Sequence, residues 1–327
     1  IEATASSGGQ IVPPIMGAAA FIMAEFLGRP YSEIILAALI PALLYFLVIF
    51  VAVHFEAKRT GLRTLPRDSL PRTWEVLRRQ GYLLIPIALI IGGLVAGYSI
   101  VFVAVIALAG TVITGFASRR TWPTPMRLAA AMEQTARSTA ALSVTAAAAG
   151  IIIGAIFSTG LSFQITQGAL SAAGEQLWLL LAMSGLVAIV LGMGMTASAV
   201  YITMVATIVP ILRALGVDEM AAHMFAFYFG IVSNITPPVA LACFAAAPIA
   251  KESGLKISFE AIKVAAAGFV VPFMAVYTPA LMLQDGGALA GAVGYWPAVA
   301  YIVLKALIAL ALWGACVIGW LGRPLAM

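Results

Sequence analysis

The residues with the most chemistry to offer sit where hydrophobic sequence should run unbroken. Gly230–Ala240 reads GIVSNITPPVA, with apolar sequence on both sides. Pro237 and Pro238 have no backbone N–H, so the carbonyls four residues earlier lose their helical donors. Pro238 also turns the residue before it away from helical geometry. Ser233, Asn234 and Thr236 bring neutral side-chain oxygens to the same point. Freed carbonyls with hydroxyl and amide oxygens make a coordination set for a small hard cation such as Na⁺. The other reading is a kink whose carbonyls are satisfied by local hydrogen bonds.

A second stretch repeats the order. Ser6-Ser7-Gly8-Gly9-Gln10-Ile11-Val12-Pro13-Pro14-Ile15 is again a small polar cluster, then Pro-Pro, then an Ala-rich apolar arm. It offers Ser6, Ser7 and Gly8 to a second cation, and Gln10 to a substrate. A third candidate is Leu191–Ser198, LGMGMTAS. Gly192 and Gly194 permit close backbone approach, while Thr196 and Ser198 supply oxygens without charge. Helix ends meeting there would turn positive dipole ends toward an anion. A glycine-hinged helix contact would have the same spelling. Gln10, Thr196, Ser198 and Asn234 are the candidate substrate contacts. Ser6, Ser7, Gly8, Gly192, Gly194, Ser233, Asn234 and Thr236 are the candidate Na⁺ contacts.

Other chemistries lack their parts. His54 and His223 have no partner at metal-ligand spacing, and Cys243 and Cys316 sit in apolar runs as small packing residues. Arg137, near an expected helix start, would snorkel to the interface. There is no Gly-x-x-x-x-Gly-Lys-Ser/Thr for a nucleotide, and no His-Glu-x-x-His or Gly-x-Ser-x-Gly for a hydrolase. No organic cofactor is expected.

The elements that must hold these residues are membrane helices. Hydrophobic residues make up 63% of the 327 and charged ones 9%, against roughly 25% charged in a soluble domain. Ile34–Val53, Leu83–Phe116 and Val293–Leu321 reach or exceed the roughly 20 residues that cross a bilayer. The alternation of a β-barrel is missing. The fold class is therefore an all-α polytopic membrane protein, and the net charge of +5 belongs to basic loops, not to a nucleic-acid surface.

Those loops orient the chain. Lys58, Arg59, Arg63, Arg67, Arg72, Arg78 and Arg79 form one, and Arg119, Arg120 and Arg127 another. With both on the cytoplasmic side, Leu83–Phe116 crosses twice, turning near Gly97-Tyr98-Ser99. Thr135–Ser158 then runs outward, and Gly160–Gly174 is a connector. Leu177–Leu212 is either two minimal spans or a re-entrant hairpin. Asp218–Ala250 is one span with an unwound centre; Phe259–Leu283 goes outward and Val293–Leu321 returns, leaving Arg323 inside. Counted this way, the two Pro-Pro breaks run in opposite senses, the trace of an inverted-topology repeat with binding at the midplane.

ATASSGGQIVPPIMGAAAFIMAE (Ala3–Glu25), LGMGMTASAVYI (Leu191–Ile202), AAHMFAFYFGIVSNITPPVALACFAAAPIA (Ala221–Ala250) and FVVPFMAVYTPALML (Phe269–Leu283) together resemble the large membrane subunit of the tripartite ATP-independent periplasmic (TRAP) transporters. The likeness is closest to the fused permeases that work with TAXI-type binding proteins, and the chain looks like the part from the first broken helix onward. The resemblance implies Na⁺-coupled import of a small organic acid across a bacterial inner membrane. It also implies delivery by a periplasmic TAXI-type solute-binding protein and an elevator-type moving domain. Its further partners would be a small membrane subunit, or its fused equivalent, and a preceding N-terminal half. On that basis 1–54 is the remainder of the first repeat, 55–82 a basic cytoplasmic connection and 83–176 scaffold and arm helices of the second repeat. Residues 177–250 are the outer hairpin and broken helix of the transport domain, and 251–327 the C-terminal membrane helices. The alternatives are a Na⁺/organic anion symporter that needs no binding protein and, more remotely, an intramembrane enzyme.

Overall fold

In the computed structural model the described residues are 1–62, 72–118, 121–160, 164, 168, 171, 176–192, 195–238 and 240–319. Arg63, Arg67, Arg119, Arg120, Met193, Gly194, Val239, Arg323 and most of the Gly160–Gly174 connector lie outside them. Among the described residues every regular element is helical. Among the described residues three helical stretches are long and apolar enough to cross a bilayer: Tyr31–Arg59, Thr73–Val95 and Tyr295–Ile318. Gly254–Val264 and Ala266–Tyr277, bent by 44°, make a fourth if taken as one span. The protein is an all-α polytopic membrane protein.

The chain divides into two compact units. The smaller comprises Pro30–Ser32 and Gly61–Val144. It carries α4 (Thr73–Gln80), a 3-10 turn (Gly81–Leu84), α5 (Ile85–Val95) and α6 (Ile100–Gly115). α5 and α6 pack as a hairpin whose turn falls at Gly97-Tyr98-Ser99, as the sequence predicts. Gly97 has φ +80, and the Ser99 side chain caps α6 by accepting from Phe102 N. α7 (Pro125–Ser158) starts ten residues earlier than the polarity suggested. Its first turns are exposed on every side, and Arg137 bonds Glu133 at 2.9 Å one turn away. Arg137 is thus a mid-helix residue in an i,i+4 pair and not one at a helix start.

The larger unit comprises Ile1–Arg29, Glu33–Thr60 and Thr145–Met327. It holds α1 (Glu2–Gly8), α2 (Ala18–Leu27), α3 (Tyr31–Arg59, from Glu33 on), α8 (Leu177–Leu191) and α9 (Ala197–Thr207). α10 (Val209–Ala214), α11 (Glu219–Val232), α12 (Leu241–Ala250), α13 (Gly254–Val264) and α14 (Ala266–Tyr277) follow. α15 (Gly287–Val293) and α16 (Tyr295–Ile318) complete it. On α3 the buried residues Ile34, Ala38, Tyr45, Val48 and Ala52 recur at helical spacing, while Leu36, Leu43 and Phe50 face outward. That is the pattern of a helix with protein on one side and lipid on the other. Every residue of α11 from Met220 to Val232 is buried, so this helix is the centre of the unit. Against it pack α8, α9, α2 and α14. Cys243 is buried as expected, but Cys316 lies on the exposed side of α16. It packs against nothing in the core.

Candidate functional site

The second break begins where α11 ends. Ser233–Ile235 tightens into a 3-10 turn, Thr236 is extended, the Pro237-Pro238 bond is cis, and Ala240 is left-handed at φ 35 before α12 starts. Pro237 and Pro238 cannot donate to the carbonyls of Ser233 and Asn234. Side chains turn back to bond the last helical turn. Ser233 Oγ donates to Gly230 O (2.9 Å), Thr236 Oγ1 to Val232 O (2.7 Å) and Asn234 Nδ2 to Gly230 O (3.5 Å). With its proton committed in this way, each hydroxyl keeps its lone pairs for another partner, and Asn234 keeps its amide oxygen. Ser233 is buried, and Asn234 and Thr236 are half-buried.

The hairpin of α8 and α9 seats its tip on this break. A side chain on Gly192 would run into the Cβ and Oγ of Ser233, so only glycine allows the approach. A Cβ on Gly230 would sit 3.1 Å from Ala197 O, in the first turn of α9. α8 and α9 have 15 and 11 residues, about 22 and 16 Å at 1.5 Å per residue, each short of the roughly 30 Å hydrocarbon core. Thr196 caps α9 by accepting from Ala199 N, and both Thr196 and Ser198 are accessible. The C-terminal ends of α8 and α11 therefore meet at Gly192 and Ser233, with the N-terminal end of α9 beside them. Two negative dipole ends suit a cation at that point; the neighbouring positive end suits an anion. Gly194, the other glycine of the tip, lies outside the described residues.

The first break follows the same backbone course. Pro13-Pro14 is also cis, and the residue two positions on, Met16, has φ 53 as Ala240 has φ 35. Met16 N bonds Val12 O and Ala240 N bonds Thr236 O, both at 3.2 Å; Val12 N bonds Gly9 O as Thr236 N bonds Ser233 O. This register aligns Gly9, Gln10 and Val12 with Ser233, Asn234 and Thr236. Ser6, Ser7 and Gly8 fall one turn earlier, on α1, where Ser7 and Gly8 are buried and Ser6 is exposed. Gln10 folds its side chain against Gly17 at the start of α2.

The two broken helices pack on each other. α1 packs on α12, on Ser233–Ile235 and on α11, and α2 packs on α11 and α9. Three fixtures hold α1 there, none of them marked by a local sequence pattern. Thr4 Oγ1 donates to Ala261 O (3.2 Å), Tyr45 OH donates to Thr4 O (3.1 Å), and the Tyr45 ring fills the space beside Gly8 and Gly268.

Of the other candidates, His223 is placed away from the breaks and Cys243 beside the second. His223 is buried about ten residues before Ser233, its Nδ1 2.7 Å from Tyr201 OH. It borders a cavity of about 550 Å³ with Phe26, Val205 and the Arg213–Glu219 ion pair (2.8 Å). Cys243 Sγ lies 3.8 Å from Ile235 O, a weak donor to a carbonyl of the break. Among the described residues no group of His, Cys, Asp and Glu is arranged to hold a metal ion.

No curated protein matches the chain. A family profile does: the one described as "Tripartite ATP-independent periplasmic transporter, DctM component" matches residues 1–286. With most of its length matched, the chain belongs to the DctM component family of the tripartite ATP-independent periplasmic transporters, a membrane permease and not an enzyme.

Proposed function

We propose that this permease imports a small organic acid by coupling it to Na⁺ entry, at a site between the hairpin tip and the second break. One observation carries the reading: Gly192 and Ser233 bring two helix C-termini together beside the N-terminus of α9. Na⁺ is held by Ser233, Asn234, Thr236 and the carbonyls around Gly192 and Gly194, and the substrate carboxylate by the first turn of α9 with Thr196, Ser198 and Asn234. Ser6, Ser7 and Gly8, with Gln10 toward the substrate, serve the first break in the same way.

The family description names a tripartite system. We assign its soluble component to a periplasmic binding protein of the TAXI type and its third to a small membrane subunit or a fused equivalent. The whole sits in the bacterial inner membrane. The apolar cavity beside the first break, bordered by Val12, Pro13, Pro14, Leu39 and Leu43, supports a preceding N-terminal segment there, as the α8–α9 hairpin lies on the second. Residues 1–54 and 177–250 then move together as an elevator against 83–176, with 55–82 as the cytoplasmic connection and 251–327 completing the membrane region.

Proteoliposomes with the complete transporter, its binding protein and an inward Na⁺ gradient test this. Uptake without ATP that disappears when Na⁺ is removed from both sides is the expected result. Undiminished uptake in the absence of Na⁺ refutes the coupling, and uptake without any binding protein favours the independent symporter.

A further inference from the structure

The smaller unit carries a feature that transport chemistry does not use. Its α5–α6 hairpin is apolar and exposed along its length, with Ile91, Val95, Val101, Val105, Leu108 and Ile113 all facing outward. Its two ends differ in kind. The turn end, Ala96–Ser99, has no charge. At the other end α4 brings Arg72, Arg78 and Arg79 with Trp74, while Phe116 and Trp122 pack edge to face at 5.8 Å past the end of α6. Arg127 bonds Trp122 O at 3.2 Å. Arginines among aromatic rings at one end of an apolar hairpin mark the headgroup level of the cytoplasmic leaflet.

At this level lies a cavity of about 500 Å³, bordered by Glu75, Val76, Arg79, Gln80, Tyr82 and the end of α6 at Ala117 and Ser118. Glu75 opposes an anion there, but Arg72 approaches it to 3.9 Å, an exposed pair that offsets its charge. Arg78 and Arg79 have no ion pair among the described residues. α4 with its cap thus keeps a surplus of positive charge immediately beside an apolar wall. That combination fits one ligand, a molecule with an anionic head and acyl chains.

We propose that this cavity is a binding site for an anionic phospholipid of the cytoplasmic leaflet. The phosphate meets Arg79, Gln80 and the Tyr82 hydroxyl, and the chains lie along α5 and α6. A phosphodiester takes the guanidinium fork of Arg79 in two hydrogen bonds, which a lysine in that place would not reproduce.

The test uses the full chain in its complex, delipidated in detergent and titrated with phosphatidylglycerol, with binding read by native mass spectrometry and by melting temperature. Phosphatidylglycerol should bind and stabilise, and Arg79→Gln should weaken it about tenfold, the equivalent of roughly 1.5 kcal/mol at the lower end for hydrogen bonds to a charged group. Arg78→Gln removes the same charge from the same helix but not from the cavity, and should stay within about twofold of the parent. Tyr82→Phe should weaken binding without changing net charge. Equal binding of phosphatidylcholine, equal loss in Arg78→Gln and Arg79→Gln, or full stabilisation by inorganic phosphate alone would each overturn the proposal.

Discussion

Replacing Thr236 by Val isolates one oxygen of the second break. The two side chains have nearly the same shape, and Oγ1 is the only heteroatom lost. Two effects follow. The first is the bond to Val232 O at 2.7 Å, whose net worth is about 1 kcal/mol of stability. The second, on the proposed reading, is a neutral ligand to Na⁺. Hydrogen bonds to a charged group run from about 1.5 to 3 kcal/mol, and taking the lower end for an ion–dipole contact at a half-buried residue predicts roughly a tenfold rise in half-saturating Na⁺.

The structure supplies the control that separates the two. Thr207 Oγ1 makes the same kind of bond, to Thr203 O at 2.9 Å, in a buried position at the last residue of α9 and away from the break. Thr207→Val therefore loses a comparable hydrogen bond and no cation ligand. Thr236→Ser retains the oxygen and should restore the parent response. Na⁺ titrations of uptake at fixed substrate and binding protein, in variants with matched abundance, give the answer. Thr236→Val alone should move the midpoint. An unchanged midpoint in folded Thr236→Val, or an equal shift in Thr207→Val, would refute the coordinating role and leave Thr236 as a stitch across a kink.

The hairpin seat is testable by size: Gly192→Ala forces a methyl group into Ser233, should cost about 1–3 kcal/mol of local fit and abolish most uptake, and Ser233→Gly added to it should recover the packing but not the Na⁺ affinity. Tyr45→Phe deletes the hydroxyl that holds Thr4 O; a melting temperature lowered by the equivalent of about 1 kcal/mol checks it, and no change would mean the α1 backbone needs no such brace. A cysteine at Met195, beside the tip, should react with impermeant thiol reagents only from the outer side or through the transport cavity. Free labelling from the cytoplasm in every state would make α8 and α9 two full spans.

Much of this layout was legible because proline and glycine act locally. Pro13-Pro14 and Pro237-Pro238 announce their breaks through a missing donor, which no tertiary contact can restore. Gly97-Tyr98-Ser99 announced the α5–α6 turn in the same way. α7 starts before the expected Thr135 because Arg127 and Glu133 read as a solvated loop, whereas an i,i+4 ion pair of Glu133 with Arg137 lets charged residues continue a helix into water. The register between the breaks was hidden for another reason. Similar letters invited Ser6-Ser7-Gly8 as the counterpart of Ser233, but the backbone bonds of Val12 and Met16 assign that place to Gly9. Thr4, Tyr45 and the Tyr201–His223 pair act across 22 to 257 residues of sequence. Helical periodicity contains no information about such separations.

The aligned register makes the two breaks chemically unequal, and the inequality bears on coupling. Where the second break has the hydroxyls of Ser233 and Thr236, the first has Gly9 and Val12. The second break is thus the better furnished for a cation, and it is also where the α8 and α11 C-termini converge. Unoccupied by a cation, that point is a concentration of negative dipole ends beside the place proposed for a carboxylate, so the anion is disfavoured until the cation arrives. A Na⁺ and a carboxylate about 6 Å apart attract by roughly 3 kcal/mol at an effective dielectric of about 20. Linkage requires the benefit to be mutual: substrate must raise Na⁺ affinity by the same factor by which Na⁺ raises substrate affinity. Calorimetric titrations of each ligand with and without the other measure both factors on one preparation. Equal factors near a hundredfold, both reduced in Thr236→Val, are the expected result. Independent binding of the two ligands would show that the cation does not sit between the negative helix ends.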